Sequence, residues 1–123
     1  MKFLYLFVAG GVGTLARYLL AGVVYQICGV RFPYGTLAVN LMGCFLAGFL
    51  AIVIEEKFLL SPTMRLMIMI GFLGGFTTFS TFMLETANLI KDGENLLAFV
   101  NVMASVVVGF LVFRLGVILA KVI

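Results

Sequence analysis

GFLGGFTTFSTF, residues 71–82, lies inside a run of 19 residues, 66–84, that carries no charge. A run of this length approaches the ~20 apolar residues that a helix needs to cross a bilayer. Glycine costs about 1 kcal/mol per residue in a helix and threonine is a mediocre helix former, so the helix is weakest at 74–78. The segment therefore predicts a membrane-spanning helix that is broken at the bilayer midplane, with close helix packing through Gly71 and Gly75 as the alternative.

The rest of the chain repeats this pattern of long uncharged stretches. Residues 32–54 and 95–113 carry no charge, and 3–30 contain only Arg17. Of the 123 residues, 64% are apolar and 11% are charged, whereas a soluble domain has roughly a quarter of its residues charged. We therefore predict an all-α membrane protein with one four-span domain over 1–123, its spans at about 4–26, 35–55, 63–88 and 96–120.

Composition excludes most enzyme classes and gives no sign of a redox or zinc site. The chain has no histidine, and its five acidic residues are too few and too peripheral for a paired-carboxylate site. Cys28 and Cys44 are sixteen residues apart, a spacing that matches no metal or redox motif. We predict a non-enzymatic protein of the cell membrane, without a nucleic-acid partner or another protein partner.

The basic residues near the span ends favour one orientation only weakly. An even number of spans puts both termini on one side, where five of these residues lie against two on the other side: Lys2, Lys57, Arg65, Arg114 and Lys121 against Arg31 and Lys91. Both orientations therefore stay open. Weak bias and a helix broken at its midpoint fit two copies related by an axis in the membrane plane, that is, an antiparallel, dual-topology homodimer.

Polar groups within the spans converge on the half of the bilayer away from the termini. At ~1.5 Å rise per residue they lie up to about 10 Å from the midplane on that side: Arg17, Asn40, Ser80, Thr81, Asn101 and Ser105. All are hydrogen-bond donors, and no carboxylate joins them at that depth: Glu85 lies ~14 Å out, at the interface. The cluster suits an anion or a neutral polar solute. Taken singly, Asn40, Asn101 and Ser105 are better explained by hydrogen bonds that join helices, but their shared depth favours the path.

Two phenylalanines accompany these polar groups. Phe79 and Phe82 are three residues apart and share one helix face, with Ser80 and Thr81 on the neighbouring face. Aromatic ring edges are electron-poor, so the two edges can line an anion path without offering a charge that traps the ion. Ordinary apolar packing is the alternative, because the chain contains 13 phenylalanines.

Three motifs carry a family resemblance that covers essentially the whole chain. The segments GGVGTLARY at 10–18, GTLAVNLMGCFLAG at 35–48 and GFLGGFTTFSTF at 71–82 resemble the small fluoride channels of microbes, the Fluc or CrcB family. Cys44 departs from this pattern, since a smaller Ser or Ala is expected at its position. The resemblance implies a passive fluoride channel that is an antiparallel homodimer with two narrow pores and lowers toxic intracellular fluoride.

The resemblance also implies roles for individual residues. Members hold one structural sodium ion, which is not transported, at the dimer centre through backbone carbonyls; the matching ligands here are Gly74 and Thr77. The pore residues carried over are Asn40, Phe79, Phe82, Ser80, Thr81 and Ser105.

Two other classes of function are compatible with four short spans. A dual-topology multidrug exporter needs an acid in its first span, and residues 1–54 contain neither Asp nor Glu. A non-conducting assembly subunit would explain the packing glycines without transport. Anion flux from purified protein distinguishes that subunit from a channel.

Overall fold

A computed structural model describes residues 1–123 as four long helices joined by short turns. They are α1 (Lys2–Cys28), α2 (Tyr34–Lys57), α3 (Pro62–Lys91) and α4 (Asn95–Val122). Each is long and apolar enough to cross a membrane, so the predicted all-α architecture with four spanning helices is confirmed. Each predicted span lies within one of these helices.

Turn-forming residues set the helix boundaries. Gly29 ends α1 with φ 91°, and Gly93 lies between α3 and α4 with φ 80°, a backbone region that residues with a Cβ rarely adopt. At the start of α3, Ser61 Oγ accepts a hydrogen bond from Met64 N at 3.2 Å. Pro62 follows at the first helical position, where its missing N–H has no cost.

Two residues of α3 have extended backbone between its N-terminal half (62–76) and its C-terminal half (Phe79–Lys91). Thr77 has φ −92° and ψ 159°, and Thr78 has φ −150° and ψ 117°. Thr78 Oγ1 accepts a hydrogen bond from Thr81 N at 3.2 Å, so Thr78 caps the C-terminal half. The two halves therefore have separate hydrogen-bond ladders, and we call Thr77 and Thr78 the interruption.

The helices pack in two pairs. α1 contacts the N-terminal half of α3, and α2 runs along the second part of α4 (Gly109–Val122). The α2–α4 approach is close enough that a Cβ at Gly116 would meet the Phe45 carbonyl oxygen. Wider helical turns with i→i+5 hydrogen bonds occur at Val53–Lys57, Met67–Phe72 and Ala104–Val108.

Most of the apolar surface faces outward. Only 21 of the 123 residues are buried within the chain, and large side chains such as Phe3, Phe7 and Ile27 are 78%, 81% and 78% exposed. A contiguous exposed apolar surface of this extent marks contact with lipid or with another protein. The single chain thus has the surface of a membrane protein.

Candidate functional site

Asn40 binds both the backbone N–H and the backbone carbonyl of Thr78, the second residue of the interruption. Its Nδ2 donates to the Thr78 carbonyl oxygen at 2.9 Å, and Thr78 N donates to Asn40 Oδ1 at 2.8 Å. This pairing fixes which way the side-chain amide faces, because the peptide N–H can only donate and the carbonyl can only accept. Asn40, on α2, therefore supplies the partners that Thr78 lacks outside a helix.

At the interruption, two carbonyls lose the N–H donors that they would have in a continuous α-helix. In a continuous helix the Gly74 carbonyl would accept from Thr78 N, which instead donates to Asn40. The Thr77 carbonyl would accept from Thr81 N, which instead donates to Thr78 Oγ1. These two carbonyls are the predicted sodium ligands.

Neighbouring carbonyls of the same segment have other partners. The Leu73 carbonyl accepts from Thr77 N and from Thr77 Oγ1, each at 3.0 Å. The Gly75 carbonyl accepts from Arg17 Nε at 3.1 Å, so Arg17 ties α1 to α3. Gly74 itself is exposed, with no atom of another residue within 4 Å of where a Cβ would lie.

A cavity of about 500 Å³ unites most of the predicted site residues, and we call it the phenylalanine cavity. Helices α2, α3 and α4 all contribute to it. The predicted residues that line it are Asn40, Gly74, Thr77, Phe79, Phe82 and Ser105. Cys44 lines it as well, and Ser105 Oγ is buried with no hydrogen-bond partner. Gly43 allows this arrangement, since a Cβ there would meet Thr77 Cγ2.

Phe79 and Phe82 differ sharply in exposure. Their ring centroids are 5.6 Å apart with an interplanar angle of 61°, an edge-to-face pair. Phe79 is 73% exposed in the single chain, whereas Phe82 is 5% exposed. One ring of the pair is thus held by its own chain, and the other projects outward.

A second cavity, of about 760 Å³, is lined by apolar and polar residues, mostly of α1, α2 and α3, and we call it the arginine cavity. Arg17, Thr78 and Thr81 line it, so Thr81 faces a different cavity from the two phenylalanines. Ser80 is exposed on α3 and is not among the residues that line either cavity.

The arginine cavity also contains one carboxylate, that of Glu85, which two other side chains bind; this arrangement was not predicted from the sequence. Tyr25 Oη donates to Glu85 Oε2 at 2.7 Å, and Thr36 Oγ1 donates to Glu85 Oε1. From its position along the predicted span, Glu85 was expected at the membrane interface without partners from other helices. Thr36 precedes Asn40 by one helical turn and so lies on the same helix face. This spacing is the sequence signal that could have predicted Thr36 as part of the site.

The sequence did not decide whether Asn101 and Ser105 line the pore or join helices. In the structure the two residues have different surroundings. Asn101 is 2% exposed and donates through Nδ2 to Thr86 Oγ1 at 2.9 Å, so it joins α4 to α3. Ser105 lines the phenylalanine cavity.

Four apolar helices with an outward-facing apolar surface define a multi-pass protein of the cell membrane, as predicted. The chain belongs to the CrcB family: residues 4–117 match the family described as CrcB-like protein, Camphor Resistance. The resemblance to this family is therefore confirmed. Because the relatives of this chain are named as ion channels, the prediction of a non-enzymatic protein is confirmed as well.

Several curated relatives match over most of their length, and each is named fluoride-specific ion channel FluC. The protein of Geobacter sp. strain M21 is 48% identical over 120 residues, which cover 98% of this chain and 97% of the relative. That of Desulforapulum autotrophicum is 43% identical over 122 residues, with 99% and 98% covered. That of Geobacter sulfurreducens is 56% identical over 99 residues, with 80% of each chain covered.

Proposed function

We propose that this protein is a fluoride-specific channel that lets fluoride leave the cell passively and so lowers its toxic intracellular concentration. The name shared by relatives at 48% identity over nearly the whole chain supports this function. The structural observation that carries it is the phenylalanine cavity, where Asn40, Phe79 and Ser105 meet from three different helices.

The groups in this cavity suit a small, hard anion that must keep moving. Fluoride has to exchange its hydration for several weak contacts, because a single cationic site would hold it too tightly. Asn40 keeps one amide proton beyond the one given to Thr78, and Ser105 has a hydroxyl without a partner. The edges of Phe79 and Phe82 add partial positive charge.

The arginine cavity supplies the approach to this path. Arg17 uses Nε to bind the Gly75 carbonyl, and it lines the cavity together with Thr81 and the carboxylate of Glu85. Its positive charge offsets the carboxylate, so that an anion meets less repulsion on this approach. Ser80 is exposed on α3, and its hydroxyl would join the path only where a second copy covers this face. Arg17 thus both pairs helices and favours entry of the anion.

Fluoride efflux from liposomes tests the proposed function. Liposomes that contain the purified protein and are loaded with potassium fluoride should release fluoride rapidly, as measured with a fluoride electrode, once an ionophore carries the counter-charge. The same liposomes loaded with chloride should release almost none. Protein that assembles but releases no fluoride would identify the non-conducting assembly subunit instead.

The functional unit in this proposal is an antiparallel homodimer. Phe79 and Gly74 are exposed in the single chain although they line a cavity, and a second copy would enclose them. The small charge bias at the span ends permits both orientations of the chain.

We predict dual topology in cells. Two reporters fused to the same terminus, one active only outside the membrane and one only inside, should both give signal, because copies insert in both orientations. Signal from one reporter alone would contradict the antiparallel arrangement.

A structural sodium ion at the dimer centre completes the proposal. The Gly74 and Thr77 carbonyls have lost their α-helical donors, and carbonyl oxygens are ligands that a hard cation prefers. Two such oxygens from each copy would surround one ion. The ion would supply positive charge that offsets the oxygens facing each other across the axis.

We predict that the dimer needs sodium. Prolonged dialysis of purified protein into a buffer with N-methyl-glucamine as the only cation should lower its melting temperature and release monomer, detected by size exclusion. Return of sodium should restore the dimer, because the repelling carbonyls regain their ligand. A melting temperature that is the same in both buffers would rule out the ion.

A further inference from the structure

A buried chain of two hydrogen bonds connects α4 to the backbone of Phe82. Asn101 Nδ2 donates to Thr86 Oγ1 at 2.9 Å, and Thr86 Oγ1 donates to the Phe82 carbonyl oxygen at 2.7 Å. The direction is fixed, because the carbonyl can only accept and the hydroxyl has one proton to give. Asn101, Thr86 and Phe82 are 2%, 8% and 5% exposed, so water has little access to compete.

The position of this chain matters because the interruption separates the two halves of α3. No continuous ladder of backbone hydrogen bonds runs from the N-terminal half to the C-terminal half, so such a ladder does not fix the rotation of the C-terminal half about its axis. Asn40 holds it at its start through Thr78. About two turns later, Tyr25 and Thr36 hold it through Glu85 from the side of α1 and α2, and Asn101 holds it through Thr86 from the side of α4. Phe79 and Phe82 lie between the first anchor and the other two, and Asn101 is the side chain of α4 that anchors this half-helix.

Neither Asn101 nor Thr86 is among the residues that line the phenylalanine cavity or the arginine cavity. Any effect they have on an ion therefore passes through the position of the half-helix. A hydroxyl bonded to the carbonyl one turn earlier also adjusts the local bend of a helix, and here that carbonyl belongs to Phe82. The bond thus acts on the backbone that orients the Phe82 ring.

We propose that Asn101 and Thr86 are positioning residues that hold Phe82 against Phe79 and so set how well the channel passes fluoride and excludes chloride. This inference rests on the proposed function. Loss of the bonds releases the half-helix on the side of α4 while Glu85 still holds its other side. The backbone at Phe82 can then shift, which moves the Phe82 ring relative to its edge-to-face partner.

Fluoride and chloride efflux from liposomes tests the proposal with variants that preserve shape. Thr86→Val removes the hydroxyl at nearly constant volume, Thr86→Ser keeps it, and Asn101→Leu removes the donor. Asn88→Leu is the matched control, since Asn88 is exposed on the same half-helix. Efflux is expressed per folded dimer, counted by size exclusion, so that lower stability alone does not lower it.

We expect Thr86→Val and Asn101→Leu each to lower the fluoride-to-chloride flux ratio about tenfold, as misplaced groups commonly do, while Thr86→Ser and Asn88→Leu keep it. The double variant should be no worse than either single one, because both remove the same chain of bonds. An unchanged ratio in Thr86→Val, with a lower melting temperature, would show ordinary helix joining and overturn the proposal. If Asn101→Leu does not assemble, the comparison of Thr86→Val with Thr86→Ser still tests the proposal. A parent protein that releases no fluoride would refute the proposed function instead.

Discussion

Replacing Phe79 by isoleucine should reduce fluoride efflux by about tenfold or more while the dimer stays folded. Isoleucine keeps an apolar side chain but removes the electron-poor ring edge, which is the feature an anion would contact. Phe79 is 73% exposed in the single chain, so the substitution leaves no cavity in the core of the chain. The measurement is the initial rate of fluoride release from liposomes per folded dimer.

The chain offers a matched control for this variant. Phe110 is 64% exposed, lines neither cavity, and stacks on Phe113, three residues later, with ring centroids 6.4 Å apart and an interplanar angle of 19°. Phe110→Ile should therefore conduct normally. Phe82→Ile should also lose flux, but it is the weaker test because Phe82 is buried and a smaller side chain there also lowers stability. Normal flux through Phe79→Ile would identify this ring as packing.

Replacing Asn40 by aspartate should abolish fluoride efflux and also destabilise the protein. The carboxylate cannot donate to the Thr78 carbonyl that Asn40 now binds at 2.9 Å, and leaving this acceptor unsatisfied costs roughly 1–3 kcal/mol. The new negative charge also repels an anion in the phenylalanine cavity. Melting temperature and liposome efflux are measured together, because the first effect alone could account for part of the second.

Both effects of Asn40→Asp should reverse as pH falls, because protonation removes the negative charge and restores a donor. A protonated aspartate has one O–H donor and one carbonyl acceptor, which match the Thr78 carbonyl and N–H as the amide does. The melting temperature of the variant should therefore rise relative to the parent as pH falls. Asn88→Asp, the same change at an exposed position of α3, should show neither effect. If Asn40→Asp matches the parent in flux and stability, the pairing with Thr78 is unimportant.

The helices could be predicted from the sequence because their cause is local. A run of about 20 uncharged residues has no stable alternative to a spanning helix in the membrane. The three uncharged runs, and the stretch 3–30 that contains only Arg17, each form one. The weak segment at 74–78 also follows from local propensity. The extended residues are Thr77 and Thr78, not the adjacent glycines, because Asn40 binds Thr78 from another helix.

The arrangement of the helices beside one another in the membrane could not be predicted from the sequence in the same way. The rise per residue gives the depth of a side chain in the bilayer but not which helix it faces. Thr81 and Phe82 are adjacent in sequence and similar in depth, yet they line different cavities. Glu85 has a depth that suggests isolation at the interface, but Tyr25 and Thr36 from two other helices bind it.

The hydrogen bonds at the interruption also bear on the order in which the protein is made. The groups that satisfy the exposed peptides of α3 are Arg17 on α1 and Asn40 on α2, both of which precede it in the chain. During synthesis these two helices leave the ribosome first, so the partners of Gly75 and Thr78 already exist when α3 enters the bilayer. A circularly permuted chain that began with α3 would have to insert unpaired peptide groups into lipid, at several kcal/mol for each group. The native order of the helices thus protects the least stable span during its insertion.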